Sequence, residues 1–235
     1  MAATVRLRMP GAELDLAGSQ ELARGLAVAG ADAGVRVVVL EPDGADFCRG
    51  LATGFEPLDS GLDPAADLAR LRVPVVAALR GQTASAGLEL ALAADIRVAA
   101  FDTVLALPDL ESGRLPCWGG TQRLVRQAGP AVATRMLLSG ERLDAEAALA
   151  AGIVHEVVEP DRLDQRVGEL CGQLESLAPL ALAYAKEAVR EGAHLPMADA
   201  LRLEADLNVL LQASADREEG LRAFLAKRSP TFTGE

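Results

Sequence analysis

The apolar positions of this chain change their period along its length. Residues 35–40 (VRVVVL) make a near-continuous apolar run between Gly34 and Pro42, the pattern of a parallel strand covered on both faces. Residues 5–9 (VRLRM) alternate and predict a short edge strand, turned by Pro10-Gly11. Residues 19–28 carry helical spacing, with Ser19 as the expected N-cap. Residues 51–63 mix Thr, Gly, Pro and Asp and predict a loop, the main candidate for a mobile segment. Residues 64–71 should be a short helix opened by Pro64.

A second apolar strand is expected over residues 73–79. It is followed by a turn of small residues (Gly81, Ser85, Ala86, Gly87), a helix over 88–94 and a strand over 96–99. A polar insert with Asp109, Glu111 and Arg114 leads to a Trp118-Gly-Gly-Thr turn. Helices are expected at 120–127, 130–138 and 144–151, the last with Asp144 as N-cap and Gly152 as terminator. Residues 153–158 predict a last short strand at the sheet edge. Four helices then follow, over 163–176, 179–191, 197–211 and 216–227. Strand–helix alternation giving way to helices alone predicts an α/β body over residues 1–160 and a helical region over 161–235.

Composition narrows the function. A formal charge of −11 argues against non-specific nucleic-acid binding or an anionic membrane surface. One Trp, one Tyr and five Phe are poor material for stacking on bases or sugars. Cys48, Cys117 and Cys171 lie far apart, which predicts neither a disulfide framework nor a zinc site and suits a reducing compartment. The N-terminus has no apolar core long enough for a signal peptide, and the run 73–94 is broken by Arg80, Gln82 and Glu89, so a cytoplasmic location is expected. No GxGxxG or GxxxxGK[ST] motif occurs, and the two histidines lack ligand spacing.

Two corners could carry chemistry. Gly50-Leu51 and Ser85-Ala86-Gly87 each follow a strand and offer backbone N–H groups with little side chain in the way. Two such groups aimed at one point stabilise a carbonyl oxygen that gains negative charge. Ordinary tight turns would read the same way. Glu89, in an otherwise apolar helix, needs a partner or a cleft. With Asp109 it could relay protons, one group as base and one as acid. Alternatively Glu89 pairs with a buried Arg97 or Arg123 and Asp109 merely caps a turn. Cys117 is a poor nucleophile candidate, and His155 and His194 suit packing or the surface.

Four blocks together resemble the enoyl-CoA hydratase/isomerase (crotonase) family: VRVVVLEPDGADFCRG (35–50), PVVAALRGQTASAGLELALAADIRVAA (74–100), LPDLESGRLPCWGGTQRL (107–124) and LLSGERLDAEAALAAGIVHEVV (137–158). The ending GLRAFLAKRSPTF (220–232) matches as well, so the resemblance covers residues 14–232. It implies a crotonase-like spiral of repeated ββα units, with a helical C-terminal subdomain that builds trimers or dimers of trimers or acts as a lid. The substrate would be an acyl-CoA thioester, with coenzyme A part of the substrate and no separate cofactor or metal.

By position, the Leu51 and Ala86 amides would hold the thioester oxygen, while Glu89 and Asp109 would be the catalytic carboxyls. Arg49, Gly50, Ser85, Gly87 and Trp118 would line the substrate, and Phe224 and Lys227 would contact coenzyme A of the same or a neighbouring subunit. The family's second glutamate is shortened here to Asp109, and Glu111 could supply a carboxylate if its loop shifted. The glycine-rich block reads Ser85-Ala86-Gly87, with added atoms beside the oxyanion position. Hydration of a 2-enoyl thioester is the expected activity, with isomerisation, other thioester chemistry of the family or acyl-CoA binding without turnover as alternatives.

Overall fold

The computed structural model describes residues 3–235. Its centre is a five-stranded parallel sheet in the order β1-β3-β5-β7-β10, formed by Thr4–Arg8, Val37–Glu41, Val75–Leu79, Ile96–Ala100 and Glu156–Val158. Alternate residues of β3, β5 and β7 point to opposite faces, so both faces must be covered. Val38, Leu40, Val75, Ala77 and Leu79 join the larger core, to which α1 (Leu16–Ala31), α3 (Pro64–Arg70) and α4 (Ala86–Ala93) contribute. Val37, Val39, Val76, Ala78, Val98 and Ala100 face the other way, onto Leu163, Val167 and Cys171 of α7 (Leu163–Glu175). Helix α7 therefore packs with the body, although a boundary near residue 160 was expected.

A second layer consists of strands too short to show a period in the sequence. Gln82–Ala84 (β6), Val104–Ala106 (β8) and Leu143–Asp144 (β9) form a three-stranded sheet, and Glu13–Leu14 (β2) pairs with Gly50–Leu51 (β4). An isolated bridge between Cys48 and Thr83 joins these two small sheets. The chain thus repeats one device: a strand in the large sheet, a short strand in the second layer, then a helix. It does so through β5-β6-α4 and again through β7-β8-α5 (Gly120–Leu138). Such repeats make the spiral expected for the crotonase fold.

Most element expectations hold, with local corrections. Helix α1 begins earlier than expected, because Asp15 is the N-cap, its Oδ1 accepting from the Gly18 N–H at 2.8 Å; Ser19 is buried within the helix instead. The 51–63 segment contains a helical turn, Pro57–Ser60 (α2). The two helices expected over 120–127 and 130–138 are both present, because the run α5 is broken at the non-helical Gly129 (φ 78°, ψ 165°) just before Pro130. Asp144 caps α6 (Ala145–Ala150), accepting from the Ala147 N–H at 2.8 Å.

The last three helices are α8 (Pro179–Gly192), α9 (Met197–Gln212) and α10 (Ala215–Leu225). They form an arm that buries little of its own surface. Val189, Met197, Val209, Phe224 and Leu225 stand exposed along it. Polar contacts tie the arm to the body, among them a joint at Lys186. Lys186 Nζ lies 2.6 Å from Asp95 Oδ2 and donates to the Val73 carbonyl at 2.9 Å. No helix among the described residues is long and apolar enough to cross a membrane.

Candidate active site

The two corners singled out by sequence are neighbours. Cys48 N–H donates to Gln82 O at 3.1 Å, and Ala84 N–H donates to Cys48 O at 2.8 Å, locking the chain before β4 onto β6. A side chain at Gly87 would collide with the Cys48 carbonyl, and a Cβ at Gly50 would sit 3.0 Å from Ser85 Cβ. Only chains of this small-residue type can approach so closely.

The amide directions follow from the ladder. Arg49 N–H donates to Ala12 O (2.7 Å) and Ala52 N–H to Leu14 O (2.8 Å), a spacing of three where a regular strand would have two. Gly50, at φ 139°, absorbs the extra residue. Successive amides of extended chain point to opposite edges, so with Ala52 facing β2, the Leu51 N–H faces the side where Ser85 lies. Ala86 is the first residue of α4, and its N–H has no intrahelical acceptor. Ser85 takes the positive φ (46°), which leaves Ala86 in an ordinary conformation with its donor available.

Glu89 lies three residues into α4 and is 1% exposed. Its Oε1 accepts from the Trp118 N–H at 2.7 Å and from the Gly120 N–H at 2.8 Å. Gly120 is the first residue of α5 and Trp118 lies in the turn that leads into it, a helix start whose unsatisfied amides suit an anion. Burial pushes the Glu89 carboxyl up to about 7 from its ordinary 4.5, against those backbone bonds, and neighbouring Asp109 pushes the same way. With Oε1 engaged, Oε2 is the oxygen left to handle a proton. The arginine pairing does not form. Arg97 donates to the Ile153, Ala91 and Ala94 carbonyls, and Arg123 donates to the Trp118 carbonyl, bracing the turn that holds Glu89.

Asp109 opens a 3-10 turn, Asp109–Ser112, and is 6% exposed. Burial raises its pKa, while the Ser85 hydroxyl beside it and, more weakly, Arg114 pull it down. Its Oδ2 is buried with no protein partner. Asp109 raises the proton affinity of Glu89, and two interacting buried carboxyls can share and pass one proton. Cys117 adjoins them, and its thiol is pushed up to about 12 by burial and by Glu89 and Asp109, so it stays protonated and unreactive. His155 packs, as expected: its Nδ1 accepts from the Arg97 N–H at 3.0 Å.

The other expected site residues divide into two groups. Trp118 is buried at 1% exposure, and its Nε1–H donates to Leu62 O at 3.0 Å, tying the 51–63 segment to the Glu89 turn. Arg49 is exposed beside the Leu51 corner, near Glu13 (3.5 Å) and Asp46 (4.0 Å). Glu111 is not brought to Glu89. It is exposed, and its Oε1 faces Gly140 at the far end of α5, because the 3-10 turn points Asp109 inward and Glu111 outward. Phe224 and Lys227 are exposed at the end of α10 and are not packed into the site of their own chain.

The Trp118 and Gly120 amides, which hold Glu89, escaped the sequence reading. Their signal was the Trp-Gly-Gly-Thr turn itself, where a Cβ at Gly120 would come within 2.8 Å of Glu89 Cγ. Among the described residues, no group of three or more His, Cys, Asp and Glu side chains is placed to hold a metal ion.

Comparison with known proteins agrees with this arrangement. A family model described as enoyl-CoA hydratase/isomerase matches residues 3–235. The chain is 40% identical over 161 residues to the 2,3-dehydroadipyl-CoA hydratase of Escherichia coli K12, a stretch covering 68% of this chain and 63% of that protein. It is 37% identical over 159 residues to the crotonyl-CoA hydratase of Syntrophomonas wolfei, covering 68% and 61%. The matched stretch thus spans less than two thirds of these relatives. Structural likeness extends further. The crystal structure of an enoyl-CoA hydratase from Bacillus anthracis superposes with a TM-score of 0.92 at 31% identity, covering 99% of this chain and 96% of that one.

Proposed function

Because this chain belongs to the enoyl-CoA hydratase/isomerase family, we propose that it adds water to the double bond of a 2-enoyl-CoA thioester. The Leu51 and Ala86 amides receive the thioester oxygen as it becomes an enolate, and the charge that develops there is what such donors stabilise most. Glu89 and Asp109 hold the water on one face of the double bond. As the water oxygen bonds to C3, the carboxyl pair accepts one proton from it and delivers one to C2, so the pair ends with as many protons as it began. Addition is syn because both carboxyls lie on the same side.

The observation that carries this reading is the state of Glu89. It is buried and free of any arginine, fixed through one oxygen by two backbone N–H groups, and titrates near neutrality beside a second carboxyl. A merely structural glutamate in an apolar helix would be expected to carry an ion pair. The short side chain of Asp109 favours a second reading within the family, in which Glu89 alone moves a proton and the enzyme is an isomerase.

Oligomerisation completes the proposal. The exposed apolar side chains of α8–α10 suit a homotrimer or a dimer of trimers, in which Phe224 and Lys227 reach coenzyme A held by a neighbour. Three free cysteines fit a reducing compartment such as the cytoplasm. The test is to incubate the pure protein with crotonyl-CoA and follow the loss of conjugated thioester absorbance. Turnover that Glu89→Gln lowers by about 100-fold or more supports catalysis. Tight binding of CoA esters with no turnover across chain lengths would leave only a binding protein.

A further inference from the structure

Asp216 lies in the first turn of α10, where an aspartate ordinarily stays exposed and favours the helix dipole. Here it is 3% exposed, and its carboxylate serves the C-terminal tail instead. Oδ1 accepts from the Thr233 N–H at 2.7 Å and Oδ2 from the Gly234 N–H at 2.9 Å. The Asp216 N–H donates to the Glu235 carbonyl at 3.2 Å. Three residues on, Glu219 accepts from the Thr231 N–H at 3.0 Å and pairs with Arg228 at 2.6 Å. The tail therefore runs back along α10. It is reversed at Lys227, whose φ of 52° is one that residues with a Cβ rarely adopt.

The same tail reaches the body. Arg36, just before β3, donates from Nη2 to the Phe232 and Thr233 carbonyls, both at 3.3 Å. Phe232 lines a cavity of about 190 Å³ with Leu180 and Ala181 of α8 and Leu211 of α9. Seven residues thus touch α8, α9, α10 and the edge of the sheet, and they are held chiefly by bonds to ionised side chains, which are the strong ones.

We propose that residues 229–235 are a strap that fixes α10 to the sheet, with Asp216 and Arg36 as positioning residues at its two anchors. What the strap places is the exposed end of α10. Lys227 is the corner of the reversal, and its N–H donates to the Phe224 carbonyl at 3.1 Å. The kinetic consequence rests on the reading that Phe224 and Lys227 reach coenzyme A held by a neighbouring subunit. The strap itself is a property of the protein with or without turnover.

Two variants test it. Asp216→Ala removes both carboxylate bonds, while Arg36→Met keeps the tail on α10 and removes only its tie to the body. In Asp216→Ala the Thr233 and Gly234 amides should exchange hydrogen about 10- to 100-fold faster, the worth of a hydrogen bond to a charged group. Amides of β3 and β5 should keep their protection, which shows the body still folded. Both variants should raise KM for crotonyl-CoA by about fivefold, the worth of one exposed ion contact, with kcat within about twofold of wild type. The crotonyl thioester of N-acetylcysteamine, which lacks the nucleotide, should show no change in KM.

Unaltered exchange at Thr233 and Gly234, an unchanged KM for crotonyl-CoA in either variant, or an equal rise for the two thioesters would overturn the inference. Should the wild type hydrate neither thioester, calorimetric binding of crotonyl-CoA reads the same fivefold loss. That loss would sink the hydratase reading and leave the strap standing, and its absence would overturn the strap's role.

Discussion

Gly120→Ala is the sharpest perturbation of the Glu89 seat. Gly120 opens α5 without a positive φ, so alanine is permitted by the backbone and is intrinsically better in a helix. The obstacle is local. The new Cβ would lie 2.8 Å from Glu89 Cγ and 3.1 Å from Oε1, against ordinary contacts of 3.4–4 Å. Glu89 cannot retreat far, because α4 is buried at every position from Ala86 to Ala93. The carboxyl must therefore shift by roughly half an ångström to one ångström, stretching the 2.7 and 2.8 Å bonds that fix it. Displacement on that scale costs about 10- to 100-fold in rate. The assay is kcat for hydration beside a denaturant melt. The variant should stay folded while losing activity, and Gly168→Ala, in open space on α7, should keep activity and gain up to about 1 kcal/mol in stability. Gly120→Ala with activity within twofold of wild type would refute the claim that Glu89's placement matters.

Three further outcomes follow from the same contacts. Burial raises the Glu89 pKa from 4.5 to about 7, so its protonated form is favoured by folding; this contribution is complete below pH 4.5 and is lost as pH rises through about 7. At 1.36 kcal/mol per pKa unit, Glu89→Gln should gain about 3 kcal/mol relative to wild type between pH 4 and pH 8, read by unfolding at the two pH values; no pH dependence in the difference would contradict the assigned burial. Gly87→Ala forces a methyl onto the Cys48 carbonyl and should destabilise by about 1–3 kcal/mol while displacing the oxyanion corner, checked by melting temperature and turnover together. Lys186→Met removes the nearer of two cations beside Asp95, leaving Arg190 at 4.0 Å and the Val75 N–H at 2.8 Å; it should cost about 1–3 kcal/mol in unfolding experiments and be partly rescued by Asp95→Asn.

The sequence revealed this molecule unevenly, for physical reasons. Strand β3 was legible because burial on both faces leaves an unbroken apolar run, and α6 because Asp144 and Gly152 mark its ends. Strands β2, β6, β8 and β9 were not, since two or three residues cannot display a period. The Asp15 cap was missed because Ser19 looked equally able to begin α1; only packing shows Ser19 inside the core. At the site, Glu89 was legible as a charge in an apolar helix. What holds it was not, because main-chain amides carry no side-chain signature, and the Trp118–Gly120 turn meets Glu89 only through the fold. The opposite fates of Asp109 and Glu111 depend on the direction of one 3-10 turn.

The most direct test follows the oxygen atom. The protein is incubated with a 2-enoyl-CoA in water enriched in oxygen-18, and the acyl product is weighed by mass spectrometry. Hydration by the Glu89–Asp109 pair predicts a 3-hydroxyacyl thioester carrying one heavy oxygen at C3, formed by the wild type and suppressed in Glu89→Gln. A thioester of unchanged mass with its double bond moved, or unreacted substrate, would contradict it.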